Sequence, residues 1–320
     1  MRRAPSILVT MLATTILLAG CTSNPETQPA EPAAPSETET SPSSSSEPSQ
    51  TPTEEPPELI GGGTELFPDR RFVGLYGYPG DPALGALGEQ GPKASAQRAI
   101  DLAETYEPYS DEPVYPAFEI IATVASSEPG ADGDYSYVTE PEKLEAYVDA
   151  AEENDVYVVL DLQPGHSDFL SQAKAYEDLL MRPNVGLALD PEWRLSDGQV
   201  HMQQIGSVDA QEVNETTEWL AELTADNDLP QKMLILHQFR QSMIQNRDQL
   251  NTEHSELAMV LHADGHGTPN TKMQTWEMVQ QDLPDNIYMA WKNFYSQDEP
   301  MFSPQETIEV EPHPWFVTYQ

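Results

Sequence analysis

From residue 66 onward, short apolar runs alternate with stretches in which apolar residues recur every three or four positions. The runs predict strands at Phe72–Gly77, Val114–Ala122, Val156–Leu162, Val185–Asp190, Met233–His237, Ala258–His262 and Ile287–Lys292, with a fainter eighth at Trp315–Tyr319. The stretches between them predict helices at Lys93–Tyr106, Glu140–Glu153, Asp168–Leu180, Asp209–Ala225, Gln241–Gln249 and Asn270–Gln281. Such alternation implies a parallel sheet. About 255 residues is also close to the ~250 of a (β/α)8 barrel. The expected fold class is therefore α/β, a single (β/α)8 TIM-like barrel spanning 66–320.

The period of two within each strand sorts its side chains between barrel axis and helix layer. In Val185-Gly186-Leu187-Ala188-Leu189-Asp190 the bulky set suits the helices and the small set suits the crowded interior, so Asp190 points inward. The same test turns Tyr157, Val159 and Asp161 inward, together with Ile235, His237, Val260, His262, Ala290 and Lys292. On the first two strands it selects Gly74, Tyr76, Ala117 and Glu119. The last inward residue of each of the seven clear strands is thus polar: Tyr76, Glu119, Asp161, Asp190, His237, His262 and Lys292. Buried polar groups are costly unless they are used or paired, and active sites of this fold lie at the C-terminal rim. The ring is the expected functional site.

Asp190-Pro191-Glu192-Trp193 closes the fourth strand. Residues two apart on a strand share a face, about 6–7 Å apart. Paired carboxylates raise one another's pKa and keep one protonated near neutrality, and Trp193 offers a wall for a sugar face. The motif resembles that of (β/α)8 glycoside hydrolases with Asp-x-Glu at the end of strand four, such as family 18 chitinases and family 25 lysozymes. That resemblance implies Glu192 as general acid and Asp190 as its partner. Asp161 and Glu119 are the alternative nucleophile or base.

Further donors and acceptors fall near the same rim: Gln163 and His166 after the third strand, Gln238 after His237, and Asn293 after Lys292. Tyr76, Tyr78, Trp193, Trp291 and Tyr295 are candidate stacking platforms, although Trp291 sits on the helix-facing side of its strand. Asp209-Ala210-Gln211-Glu212 reads as a helix N-terminus with a capping box, which keeps Glu212 out of the site. The long link Arg194–Val208 is expected to overhang the mouth and to bring His201 to it. His262-Ala263-Asp264-Gly265-His266 adds a second cluster. Hydrogen bonding to substrate hydroxyls or to neighbouring carboxylates is the preferred role for these imidazoles, with no cofactor. The alternative is a metal-dependent hydrolase, with a divalent ion on His237, His262, Asp264 and His266. A non-catalytic carbohydrate-binding protein is a third reading, because fold does not fix function.

Composition adds the setting. Acidic residues outnumber basic ones 54 to 15, for a formal charge of −39, which argues against a nucleic-acid partner. A monomer is expected. The single cysteine excludes a disulfide framework. Arg2 and Arg3 precede an apolar run, Ile7 to Ala19, with the flanks of a secretory signal. The run ends in Leu18-Ala19-Gly20-Cys21, which resembles the lipobox of bacterial lipoproteins. This implies residues 1–20 as a cleaved signal peptide and Cys21 as the lipidated residue. It also implies a location on the extracytoplasmic face of the cell membrane. Residues 21–65, rich in Ser, Thr, Pro and Glu, read as a disordered tether. Together these features predict a membrane-anchored barrel that acts on cell-envelope or environmental polysaccharide.

Overall fold

The computed structural model describes residues 56–320. The lipobox, and the tether up to residue 55, lie outside the described residues. Eight parallel strands form the barrel: β1 (Arg71–Gly77), β2 (Val114–Ala125), β3 (Tyr157–Leu162), β4 (Val185–Leu189), β5 (Lys232–Gln238), β6 (Leu257–Ala263), β7 (Tyr288–Asn293) and β8 (Phe316–Tyr319). They pair in sequence order, and β8 returns to β1 through Phe72↔Phe316 and Leu75↔Tyr319, which closes the barrel. Every expected strand is present, including the fainter eighth.

The helices are α1 (Pro92–Glu104), α2 (Pro141–Glu152), α3 (Phe169–Lys174), α4 (Glu177–Leu180), α5 (Ala210–Asp226), α6 (Pro269–Val279) and α7 (Pro304–Ile308). The helix expected over Asp168–Leu180 divides into α3 and α4 at Tyr176, whose ring is buried and whose φ is −115°. The helix expected over Gln241–Gln249 does not form. Instead, Ile244–Gln245 pairs with Val208–Asp209. Asn246 enters the left-handed region at φ 53°, and Arg247 turns inward to Oε1 of Gln238 (2.9 Å) and the carbonyl of Val279 (2.7 Å). A short strand, Ser136–Val138, runs antiparallel to the end of β2.

The period-two argument holds throughout the barrel interior. Phe72, Ala117, Tyr157, Val159, Ala188, Met233, Ile235, Ala258, Val260, Ala290 and Phe316 form one buried cluster along the axis. The helix-facing set, among them Val73, Leu75, Leu187, Leu189, Leu234, Leu236 and Trp291, packs into the surrounding layer. Small residues allow the strands to approach. A Cβ on Gly186 would lie 2.5 Å from the Met233 carbonyl oxygen, and one on Gly74 would lie 2.5 Å from that of Ala117.

A plug seals the floor at the strand N-termini. Phe67 packs on Phe72, Tyr288 and Trp315 with ring centroids 4.7–6.1 Å apart. Leu59 and Ile60, which precede the expected boundary at 65/66, are buried in the same cluster. The Arg70 guanidinium binds the carbonyls of Ile60 and Gly62, and the Ile60 amide donates to Oδ1 of Asn184 (3.0 Å). With the floor filled by apolar side chains, the polar residues gather at the opposite end.

Candidate active site

Above the apolar layers, the strands present a continuous polar network. The hydroxyl of Tyr76 donates to Oδ2 of Asp161 (2.9 Å). His237 is held at both ring nitrogens, with Nε2 2.6 Å from Oε1 of Glu119 and Nδ1 3.0 Å from Oδ2 of Asp264. His262 lies beside it at 4.8 Å between ring centroids, and its Nε2 meets Oγ1 of Thr318 (3.2 Å). Lys292 stands 3.4 Å above the Tyr76 ring and 4.0 Å from Oδ2 of Asp264. The eighth strand therefore joins the ring through Thr318, which the sequence reading did not select.

The network supports a cavity of about 520 Å³. Of the sequence-selected residues, Tyr76, Gln163, Asp190, Glu192, Trp193, Asp264, His266 and Lys292 line it. Glu119, Asp161, His237 and His262 form its buried underlayer, with no solvent exposure. Phe239, Arg240, Thr271, Thr275 and Phe294 are also part of the wall. These five lie on loops and on α6, beyond the strand ends to which the alternation argument applies.

Six of the residues expected near the mouth do not reach the cavity. The alternation that turns His237 and Lys292 inward turns their successors outward. Gln238 therefore donates to the carbonyls of Arg240 and Gln241, while Asn293 accepts from Nε1 of Trp291 (2.9 Å) in the helix layer. Tyr78, past the end of β1, carries Lys143 over its ring at 4.0 Å. His166 binds the Gln199 carbonyl (3.0 Å). His201 is likewise a brace, with its Nε2 on the Tyr135 carbonyl (2.8 Å) and its ring 5.5 Å from that of Trp193. Tyr295 packs on Tyr319 instead of lining the cavity. Glu212 does not complete a capping box; it grips Arg194 (2.8 Å), and Asp209 alone caps α5.

Asp190 and Glu192 are brought together by a turn, where the sequence reading placed both on a strand. β4 ends at Leu189, and Pro191–Trp193 makes one 3₁₀ turn whose N-cap is Asp190. Oδ1 of Asp190 accepts from the Glu192 amide (3.1 Å), and the Gly206 amide donates to the Glu192 carbonyl (2.7 Å). Only glycine fits at 206, because a Cβ there would lie 2.4–2.6 Å from the carbonyl oxygens of Pro191, Glu192 and Arg194. The overhanging link Arg194–Val208 thus returns to clamp the backbone that carries Glu192.

Burial and mutual charge divide the carboxyls into two classes. Burial, then the charge of Asp264, pushes Glu192 up to about 7 against the pull of Lys292, His237 and Arg240. Burial also raises Asp190 well above its ordinary value, outweighing the charge of His237, with further help from Asp161 and Asp264. Asp161 rises to about 6, chiefly by burial. For Glu119 and Asp264, burial is outweighed by His237 and its cationic neighbours, so both fall below their usual range. His237 itself is held well above an ordinary imidazole, despite burial, by Glu119 and Asp264. Burial lowers His262. One wall of the cavity thus carries the two raised carboxyls, Asp190 and Glu192, and another carries the lowered Asp264.

Glu119, His237 and His262 place ligand atoms within 4.8 Å of one another, and so do Asp190, His237 and Asp264. Either set could hold a cation. His266 belongs to neither; its ring packs edge-on against Phe294 (5.6 Å) at the mouth. Four buried polar atoms in this region lack hydrogen-bond partners: Glu119 Oε2, Asp161 Oδ1, His262 Nδ1 and Asp264 Oδ1.

No protein-family model matches the chain. No curated protein matches it. Among solved structures, it is similar to the apo form of the 3-keto-D-glucoside 4-epimerase YcjR from E. coli, at 11% identity and a TM-score of 0.38, covering 78% of this chain and 90% of that one. It is also similar to a quadruple mutant of the α-N-acetylgalactosaminidase NagBb from Bifidobacterium bifidum, at 10% identity and a TM-score of 0.30, covering 70% of this chain and 43% of that one. At such distances neither assigns a chemistry, and the functional reading rests on this chain's own residues.

Proposed function

We propose that the barrel hydrolyses glycosidic bonds with Glu192 as general acid. One observation carries this reading: a half-buried carboxyl, its pKa raised to about 7, lines the cavity beside Trp193 while the Asp264 carboxylate lines the same cavity as an anion. Glu192 gives its proton to the glycosidic oxygen as the bond to the anomeric carbon breaks. Positive charge developing on the sugar is stabilised by Asp264, whose Oδ1 has no other partner. Water then supplies a hydroxyl to the anomeric carbon, and its remaining proton restores the acid. Asp190 fixes the Glu192 backbone by accepting from its amide. Asp161 and Glu119 lie beneath the lining and act through Tyr76 and His237. The setting proposed for this chemistry is the outer face of a membrane, with Cys21 as the lipid-bearing residue.

The test is product release from a panel of cell-envelope and plant glycans, comparing the wild type with Glu192→Gln. The reading expects a loss of ~100-fold or more in kcat with the fold intact. Equal turnover by the variant removes Glu192 as the acid, and binding without products favours a carbohydrate-binding role.

A second reading, a metal-dependent hydrolase, is supported by Glu119 Oε2 and His262 Nδ1, which make no hydrogen bond and face each other at 3.6 Å. Glu119, His237 and His262 make a donor set suited to zinc or manganese, with Asp264 orienting His237 through Nδ1. A bound ion would supply Lewis-acid polarisation of the substrate oxygen. Stoichiometric metal in the purified protein, and loss of activity in chelator, would favour this reading over the first.

A further inference from the structure

Glu192 belongs to more than one cavity. A second chamber of about 360 Å³ lies outside the first, lined by Met202, Gln203, Gln204 and Ile205 from the overhanging link. Glu192, Trp193 and Arg240 are common to both linings and form the partition between them. Each volume falls within the ~300–1,000 Å³ usual for small-molecule sites. The link is held over the mouth by the Gly206 clamp and by the tilted, neighbouring rings of Trp193, His201 and Tyr135. Met202, at the tip, is 86% exposed and adopts a left-handed φ of 64°.

Resting on the glycosidase reading, we propose that the outer chamber is a leaving-group subsite and that the substrate is a neutral oligosaccharide or polysaccharide cleaved between two occupied chambers. A proton donor standing in the partition reaches an oxygen that joins one sugar inside to another outside. The inner sugar meets Tyr76, Asp264 and Lys292. The outer one meets the amides of Gln203 and Gln204, the Ile205 side chain and the Arg240 guanidinium, which forms no ion pair among the described residues. These are hydroxyl-directed and apolar contacts. A chain of net charge −39 repels polyanionic glycans, so neutral sugars are the fitting class.

The experiment fills the outer chamber and compares two leaving groups. Ile205→Trp is the principal variant, and Gln203→Trp, at an exposed position, is the second in case the first fails to fold. A glycosyl fluoride needs no outer subsite because its leaving group is a single atom. Both variants should hydrolyse it at the wild-type rate while losing about a hundredfold or more in kcat/KM on an oligosaccharide. Unchanged oligosaccharide cleavage in a folded variant overturns the subsite and leaves the glycosidase reading intact. Failure of the wild type on fluorides and oligosaccharides alike overturns the glycosidase reading, and the subsite with it.

Discussion

Nε2 of His237 lies 2.6 Å from Oε1 of Glu119, and neither side chain has any exposed surface. Removing one member of a buried pair leaves the other as an uncompensated charge. His237→Ala is therefore expected to cost about 3–5 kcal/mol in a denaturant titration. The double variant His237→Gln/Glu119→Gln, which removes both charges, should be distinctly more stable than the single one. Near-wild-type stability of His237→Ala would mean that the pair does not anchor the site.

With Glu192 as the proposed general acid, the pH dependence of turnover follows from its proton. A general acid must carry its proton, and this carboxyl is pushed up to about 7. The expected kcat/KM is therefore sustained in the mildly acidic range and declines as pH rises through about 7. Lys292 is among the groups that pull Glu192 down, so Lys292→Met should move the declining limb to higher pH. A profile that ignores Lys292 would point to a different titrating group.

Stability should follow the same protons. Glu192 and Asp161 have folded-state values raised to about 7 and about 6, from ordinary values of 4.5 and 3.8. The folded form therefore binds these protons more tightly than the unfolded form. Their contribution is present at acidic pH and is lost as pH rises from about 4 through 7. Denaturation midpoints measured from pH 4.5 to 8 are expected to fall, and Glu192→Gln should flatten that slope.

His201 touches Trp193 from outside the cavity, with ring centroids 5.5 Å apart. Cutting it to alanine leaves the inner wall intact but loosens the indole. The expected outcome of His201→Ala is a KM raised severalfold with kcat little changed, read by steady-state kinetics on the oligosaccharide.

Cys21 is proposed to carry the membrane attachment. Cys21→Ala should release the protein from the membrane fraction into the medium, followed by fractionation and immunodetection. Retention in the membrane would remove the lipid anchor from this account.

Much of this architecture was legible because a barrel strand has two faces and little freedom. Gly186, Ala188 and Asp190 could be oriented from side-chain size alone, and Glu119, Asp161, His237 and His262 converge as that logic requires. The same rule, applied one residue further, would have sent Gln238 and Asn293 outward. Their polarity pointed to the mouth, whereas the helix layer needed them as internal hydrogen-bond partners. Loop placement followed no periodicity. Arg240 and Phe294 reach the cavity, and His166 and Tyr78 leave it, through turns whose directions depend on contacts with distant segments. The missing helix at Gln241–Gln249 has a similar origin: pairing with Val208–Asp209 and burial of Arg247 outweigh an amphipathic pattern.

Leu59, Ile60 and Phe67 occupy the floor, at the opposite end of the strands from Glu192. The polypeptide thus enters the barrel from behind. A pull on the residues that lead into this plug is borne by Arg70, Asn184 and the aromatic cluster, at the far end of the strands from Glu192. Load applied from the N-terminal side thus meets the floor first and leaves the side chains around Glu192 out of its path.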